Sequence, residues 1–384
     1  MTVTVAKGFE AAGIAAGIKK SGNRDLALVV NRGPLKAAAA VFTTNRCQAN
    51  PVLWSKQVIA DGEVEAIILN SGGANCYTGP EGFQTTHATA EKVAVLLNVS
   101  AGDVFVCSTG MIGEQLPRET LLKGVETAVA ELSNHAGPLA AEAIMTTDSV
   151  SKTAYRVSPS GWAIGGMAKG AGMLAPGLAT MLVVITTDVV IEAQALDNAL
   201  REGTRVTFDR LDSDGCMSTN DTVAVMASGA SGQTAAPQEF QDLLTDVCHD
   251  LAMQLLRDAE GSTHDVVIKV QSAASEADAV EVGRSVARNN LFKAAVYGND
   301  PNWGRILAAV GTTNAEFDPY NIDVTINGVS VSRQGQPDQP RDLVDMTGRE
   351  VIIEIVLNAG VHNATIYTND LSHAYVTENS EYSS

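Results

Sequence analysis

One threonine in this 384-residue chain is placed for covalent chemistry. Residues Lys169 to Asp188 read KGAGMLAPGLATMLVVITTD, and Thr180 opens an apolar, β-type run directly after a Gly/Pro turn. If the chain cuts itself between Ala179 and Thr180, the Thr180 Oγ becomes a nucleophile. The freed α-amine, with an ordinary pKa of about 7.7–8, becomes its general base, so no separate histidine or cysteine is required. Oγ would attack the Ala179 carbonyl, shift the acyl group from N to O and lose it to water. In the mature protein the same Oγ would take an acyl group as an ester and pass it to an acceptor amine, a double displacement.

Other chemistries find little support. Gly170-Ala-Gly172-Met-Leu-Ala175 has the form G-x-G-x-x-A, but Pro176 interrupts the helix a dinucleotide fingerprint needs, and no GK[ST] phosphate loop occurs. The six histidines show no metal-ligand spacing, and there is no G-x-S-x-G elbow. Cys47, Cys76, Cys107, Cys216 and Cys248 are odd in number and never in C-x-x-C form, so they read as reduced, buried thiols rather than a disulfide framework or a zinc site. A net charge of −18 repels nucleic acid and anionic lipid, leaving a small molecule as the expected partner. No apolar run approaches the roughly 18 residues of a membrane span, and the N-terminus lacks a signal-peptide pattern, so a cytoplasmic location is expected.

The run around Thr180 resembles KGSGM-x-AP-x-x-ATML, the self-cleavage site of the ornithine acetyltransferases, the glutamate N-acetyltransferases of arginine biosynthesis. The resemblance extends from VAKGFEAAGIAAGIKKSG at residues 5–22 to Ser384. It implies transfer of acetyl from N2-acetyl-L-ornithine to L-glutamate through an acetyl-Thr180 ester, with no cofactor, in an α2β2 assembly. Bifunctional members of that family also accept acetyl-CoA, and the sequence leaves its use here open. Ser108-Thr109-Gly110-Met-Ile-Gly113 resembles the STG-x-IG loop, which makes Thr109 and Gly110 the oxyanion donors. Lys169, which the residues alone would place on the surface, becomes a cation for the substrate carboxylate.

Glu260 matches the glutamate of an RDGEG-like segment, and its charge opposes the dipole of the helix that ends before it. Met145-Thr146-Thr147-Asp148 resembles an MTTD run that supplies a substrate-contacting threonine; Thr147 is preferred, with Thr146 open. The tail resembles the ending N-x-x-Y-x-[ST], which brings Asn379 and Ser384 to the substrate. Asp214–Thr222 and Gly298–Arg305 are family-like runs given supporting roles, because Gly/Asn/Pro turns position other groups as often as they react. Two other readings share Thr180: an amidohydrolase in which water takes the acyl group, and a non-catalytic protein that cuts itself only to mature.

The elements that must hold these residues alternate between short apolar runs and amphipathic ones, a mixed α/β pattern. Strands are expected at Val64–Leu69 and Asp103–Cys107, each ending in a Gly-containing turn. Pro117 and the stripe Leu121, Leu122, Val125, Ala128, Val129, Leu132 predict a helix, and a second runs from Pro237 to about Asp258, stopped by Gly261. His264–Val270, Val351–Val356 and Ala364–Tyr367 read as strands, and Val324–Val331 as a hairpin on an Asn327-Gly328 type I′ turn. The resemblance implies an α/β sandwich with central sheets between helical layers. A cut at Ala179–Thr180 would give fragments 1–179 and 180–384 of 179 and 205 residues, both with strands and helices, as one co-folded unit.

Overall fold

The computed structural model describes residues 2–175 and 181–381. In chain order its first half forms β1 (Phe9–Ile14), β2 (Leu26–Asn31), β3 (Ala38–Phe42), α1 (Asn50–Val58), β4 (Ala66–Ser71), α2 (Gly79–Leu97) and β5 (Val104–Thr109). Then come α3 (Arg118–Ala130), α4 (Gly137–Ala143), β6 (Lys152–Val157), β7 (Ala163–Lys169), β8 (Leu182–Thr187), α5 (Ala193–Val206), β9 (Thr222–Ala227) and α6 (Pro237–Arg257). The remainder forms β10 (Asp265–Ala273), α7 (Glu276–Ala287), α8 (Asn290–Tyr297), α9 (Trp303–Val310), β11 (Asp323–Ile326), β12 (Val329–Arg333), β13 (Gln336–Pro337), β14 (Glu350–Val356), β15 (His362–Asn369) and α10 (His373–Glu381).

The mixed α/β class read from the sequence holds, and the described residues fall into two compact units. The first takes 2–173, 181–209 and 217–255, and the second 174–175, 210–216 and 256–381. In the first unit a four-stranded sheet has the order β1-β2-β4-β5 and a five-stranded sheet the order β3-β9-β8-β7-β6. The period of two in β2, β4 and β5 divides their apolar side chains between two cores. Val29, Ile67 and Phe105 pack toward Met167, Leu182, Val184 and Met226 of the other sheet. Leu28, Ile68 and Val106 pack toward Val93 of α2 and Leu121 and Val125 of α3. Because both faces are covered, these strands are apolar up to the polar residues at their ends, Asn31, Asn70–Ser71 and Ser108–Thr109.

Helices α5 and α6 form the second outer layer. The Gln241 Nε2 of α6 donates to the Ala199 carbonyl of α5 at 3.1 Å, and α6 lies on the five-stranded sheet so closely that a Cβ at Gly166 would stand 3.0 Å from Leu251 Cδ1. This unit is thus helices, sheet, sheet, helices.

The second unit is a six-stranded sheet of order β13-β12-β11-β14-β10-β15. Its β10 alternates buried and half-buried residues, so one face meets the core. Val266, Ile268 and Ile353 there pack with Val282, Val286, Phe292 and Ile306 of α7, α8 and α9. Ser275 and Asn289 cap α7 and α8 by accepting the Asp278 and Phe292 N–H groups. The hairpin turn is as expected, with positive φ at Asn327 (46°) and Gly328 (83°).

The reading of the cysteines needs correction. Cys76, Cys107 and Cys248 are buried, but Cys47 and Cys216 are exposed because they sit in polar loops outside every strand and helix. Among the described residues no helix is long and apolar enough to cross a membrane.

Candidate active site

Strand β5 ends at Thr109, beside β4, with Cys107 opposite Leu69 and Thr109 opposite Ser71. Beyond it the chain turns at Gly110 with φ 129°, a conformation for which glycine is suited. A Cβ there would also lie 2.5 Å from the Gly73 nitrogen, so the loop 108–113 folds against 70–75 only with a glycine at this position. The Gly72 and Gly73 N–H groups donate to the Thr109 carbonyl at 2.9 and 3.0 Å. They fix that peptide, and Thr109 is buried with its hydroxyl directed to Lys169.

Lys169 is the last residue of β7 and is only 1% exposed, the opposite of the surface position its residue type suggests. Its Nζ donates to the Thr109 Oγ1 at 3.5 Å and stands 4.0 Å from Asp148 Oδ2. Asp148 is the hub of the cluster. Its Oδ1 accepts from the fully buried Lys152 Nζ at 2.6 Å and from the Gly170 N–H at 2.6 Å, and its Oδ2 accepts the Thr146 N–H at 2.9 Å. Burial alone would raise the Asp148 pKa, but the Lys169 and Lys152 charges and the Gly170 N–H outweigh it and hold the carboxyl at about 2. Lys19 anchors the same turn, its Nζ donating to the Met145 carbonyl at 2.7 Å.

Two buried lysines face the ionised carboxylate of Asp148, and the carboxyl of Asp221, on which Lys169 also acts, is pushed toward its acid form by burial. A buried ammonium group favours an anion beside it, whether a developing oxyanion or a substrate carboxylate. Thr147 follows Thr146 in the same turn, and the geometry does not separate their roles. The run Asp214–Thr222 proves to be a brace: Asn220 Nδ2 donates to the Ala74 and Ser108 carbonyls at 2.6 and 2.8 Å, tying the 70–75 turn to the start of the 108–113 loop.

In the second unit Glu260 and Asn379 come together, Asn379 Nδ2 donating to Glu260 Oε2 at 3.0 Å. Gly261 makes this possible with φ 61°, and its carbonyl accepts the hydroxyl of Ser372, which in turn takes the Tyr375 N–H and starts α10. A cavity of about 440 Å³ beside them is lined by Asp214, Glu260, Arg288, Lys293, Asn369 and Tyr375. Burial lowers the Lys293 pKa to about 8 against the pull of Asp212, Asp214 and Asp370. Burial and the carboxylates of Asp214 and Glu260 push the Tyr375 phenol up to about 12.

Ala179, Thr180 and Ser384 lie outside the described residues. Thr109, Gly110, Thr147 and Lys169 belong to the first unit and Glu260 and Asn379 to the second. Sequence reasoning passed over Asp148 and Lys152 as site residues, although an Asp and a Lys four apart, beside the quoted MTTD run, were a visible signal.

The family model described as ArgJ family matches residues 10–384. The arginine biosynthesis bifunctional protein ArgJ of Streptomyces avermitilis is 62% identical over 384 residues, all of both chains. The protein of the same name from Thermobifida fusca is 59% identical over 383 residues, again 100% of each. Among crystal structures, ornithine acetyltransferase complexed with ornithine from Mycobacterium tuberculosis is 53% identical at a TM-score of 0.45, covering 47% of this chain and 96% of that one.

Proposed function

The chain belongs to the ArgJ family, and from that premise we propose that it is an acyltransferase of arginine biosynthesis, moving acetyl from N2-acetyl-L-ornithine to L-glutamate. The chain first cuts itself between Ala179 and Thr180, and the Thr180 Oγ then carries the acetyl group as an ester. The donor is bound, its amide carbon is attacked by Oγ, and ornithine leaves with a proton from the α-amine. Glutamate enters, its amine attacks the ester, and N-acetylglutamate departs.

The observation that carries this reading is the Lys169 ammonium, buried beside the Thr109 hydroxyl with Asp148 as its counter-ion. Thr109 and the Gly110 N–H stabilise the oxyanion of each tetrahedral intermediate, and Lys169 fixes a negative group next to them. Thr147 contacts the substrate. Glu260, steadied by Asn379, receives an ammonium group of the substrate, and Ser384 is a further substrate contact. The cavity at Glu260 suits a zwitterionic amino acid, with carboxylates at Glu260 and Asp214 and a guanidinium at Arg288. The relatives' name, bifunctional, supports acetyl-CoA as a second acetyl donor. The protein works as an α2β2 assembly in the cytoplasm.

Intact-mass spectrometry of wild type beside Thr180→Ala, followed by an assay of acetyl transfer, tests the reading. Two fragments in wild type, the second beginning at Thr180, with an uncut variant and glutamate-dependent release of ornithine, are expected. A persistently uncut wild type removes the nucleophile, and release of acetate without glutamate replaces the transferase by an amidohydrolase.

A further inference from the structure

In a double displacement the donor product leaves before the acceptor enters, so one site holds ornithine and glutamate in turn. Their amino-acid backbones match, but their side chains end in opposite charges, an ammonium and a carboxylate. Glu260 answers the first. The second needs a cation in the same cavity.

The cavity at Glu260, within the second unit, is lined by two cations, Lys293 and Arg288. Lys293 is already committed. Its Nζ donates to the Ser213 carbonyl at 2.6 Å, to the Thr368 hydroxyl at 3.0 Å and to the Asn369 carbonyl, which uses all three of its protons. Arg288 follows α7 as the C-cap of that helix, and its stem passes Gly215, where a Cβ would touch the Arg288 Cγ at 3.8 Å. Its Nε donates to Asp212 Oδ2 at 2.7 Å, the one side-chain hydrogen bond it makes among the described residues. Asp212 is wholly buried, whereas the Arg288 side chain is 48% exposed. The Asp212 carboxylate therefore pins the guanidinium at Nε and leaves both Nη groups, the edge of the fork that fits a second carboxylate bidentately.

We propose that Arg288 takes the side-chain carboxylate of glutamate, in the cavity where Glu260 takes the side-chain ammonium of ornithine. This rests on the acetyl-transfer reading above, and it makes Arg288 the residue that selects the acceptor. Whichever charge arrives finds an opposite one, so each half-reaction uses one member of the pair. Asp212 acts through Arg288 as a positioning residue. Burial raises the Asp212 carboxyl to about 6 against the pull of Arg288, so at neutral pH it is ionised and holds the guanidinium in place.

Arg288→Gln keeps a hydrogen-bond donor for Asp212 without the charge, whereas Arg288→Lys keeps the charge without the fork. Full-length wild type and both variants, checked by near-ultraviolet circular dichroism, are given N2-acetylornithine as donor and glutamate, glutamine or labelled ornithine as acceptor. Wild type should favour glutamate over glutamine by at least about tenfold in kcat/KM, since only glutamate carries the side-chain charge. In Arg288→Gln the ratio of kcat/KM for glutamate to that for ornithine should fall by about tenfold to a hundredfold, the range for a hydrogen bond to a charged group. Arg288→Lys should lose less. If glutamate and ornithine weaken in step, so that the ratio holds in whichever variant folds, the proposal is overturned and Arg288 only braces Asp212. A wild type that takes glutamine as readily as glutamate overturns it too, with the transfer reading intact. A wild type that acetylates neither glutamate nor ornithine removes that reading, and this inference falls with it.

Discussion

At the scale of single residues the site is governed by buried charge. Lys152 and Lys169 are wholly or almost wholly buried, and the ionised Asp148 stands against both. Its carboxyl titrates at about 2 when folded, below its unfolded value of 3.8. Depression of an acid means that the folded state binds fewer protons than the unfolded one between those values. The stabilisation is therefore complete above about pH 4 and lost as pH falls toward about 2, and is worth about 2 kcal/mol. Asp148→Asn should cost about 3–5 kcal/mol at pH 7, because it takes a charged partner from two buried ammonium groups. The gap between variant and wild type in urea unfolding should narrow by about 2 kcal/mol between pH 5 and pH 2. A gap that stays constant over that range would show that Asp148 is not the titrating partner. None of this was legible from residue type, which puts a lone lysine on the surface; only the resemblance placed Lys169 in the site. The cause is distance along the chain, since the Thr109 hydroxyl that meets Lys169 lies 60 residues earlier.

At the scale of elements, what the sequence disclosed depended on how strong a periodic signal each segment carried. α3 and α6 have long apolar stripes, and β10 alternates, so all three fall within a few residues of their expected positions. Strands β3 and β7, reading AAAVF and AIGGMAK, are rich in Ala and Gly, which carry little strand preference, and they were not foreseen. Their small side chains become intelligible only in the fold, where a Cβ at Gly165 or Gly166 would meet Thr2 and Val5 or Leu251 at 3.0 Å or less. Gly261 is the case with a functional consequence. Its position after the apolar stripe predicts the end of α6, and the structure adds a close approach, a Cβ there lying 2.2 Å from the Tyr375 nitrogen. Gly261→Ala must push the first turn of α10 away and separate Asn379 from Glu260. Steady-state kinetics should then show KM for glutamate raised by roughly tenfold while the rate of self-cleavage is unchanged. An unaltered KM would detach the Glu260–Asn379 pair from substrate binding.

At the scale of the whole molecule, the proposed cut falls inside a sheet. β7 lies before Ala179–Thr180 and β8 after it, yet the two pair along six residues, from Ile164 opposite Thr187 to Lys169 opposite Leu182. β9, from the second fragment, is held between β8 and the first fragment's β3. Met167 on one side of the cut packs in the same core as Leu182, Val184 and Met226 on the other. Separating the fragments would leave ladder hydrogen bonds unmade and expose that core, a cost far larger than the one peptide bond removed as a tether. The cut protein should therefore behave as one body. Native mass spectrometry should record both fragments together, at about twice the 40.1 kDa of a single chain for the α2β2 assembly. Dilution should halve that mass before it divides fragment from fragment, and urea should release the two in the same transition that melts the first unit. Fragments that part on a sizing column in native buffer would mean that the ladder between β7 and β8 does not survive the cut.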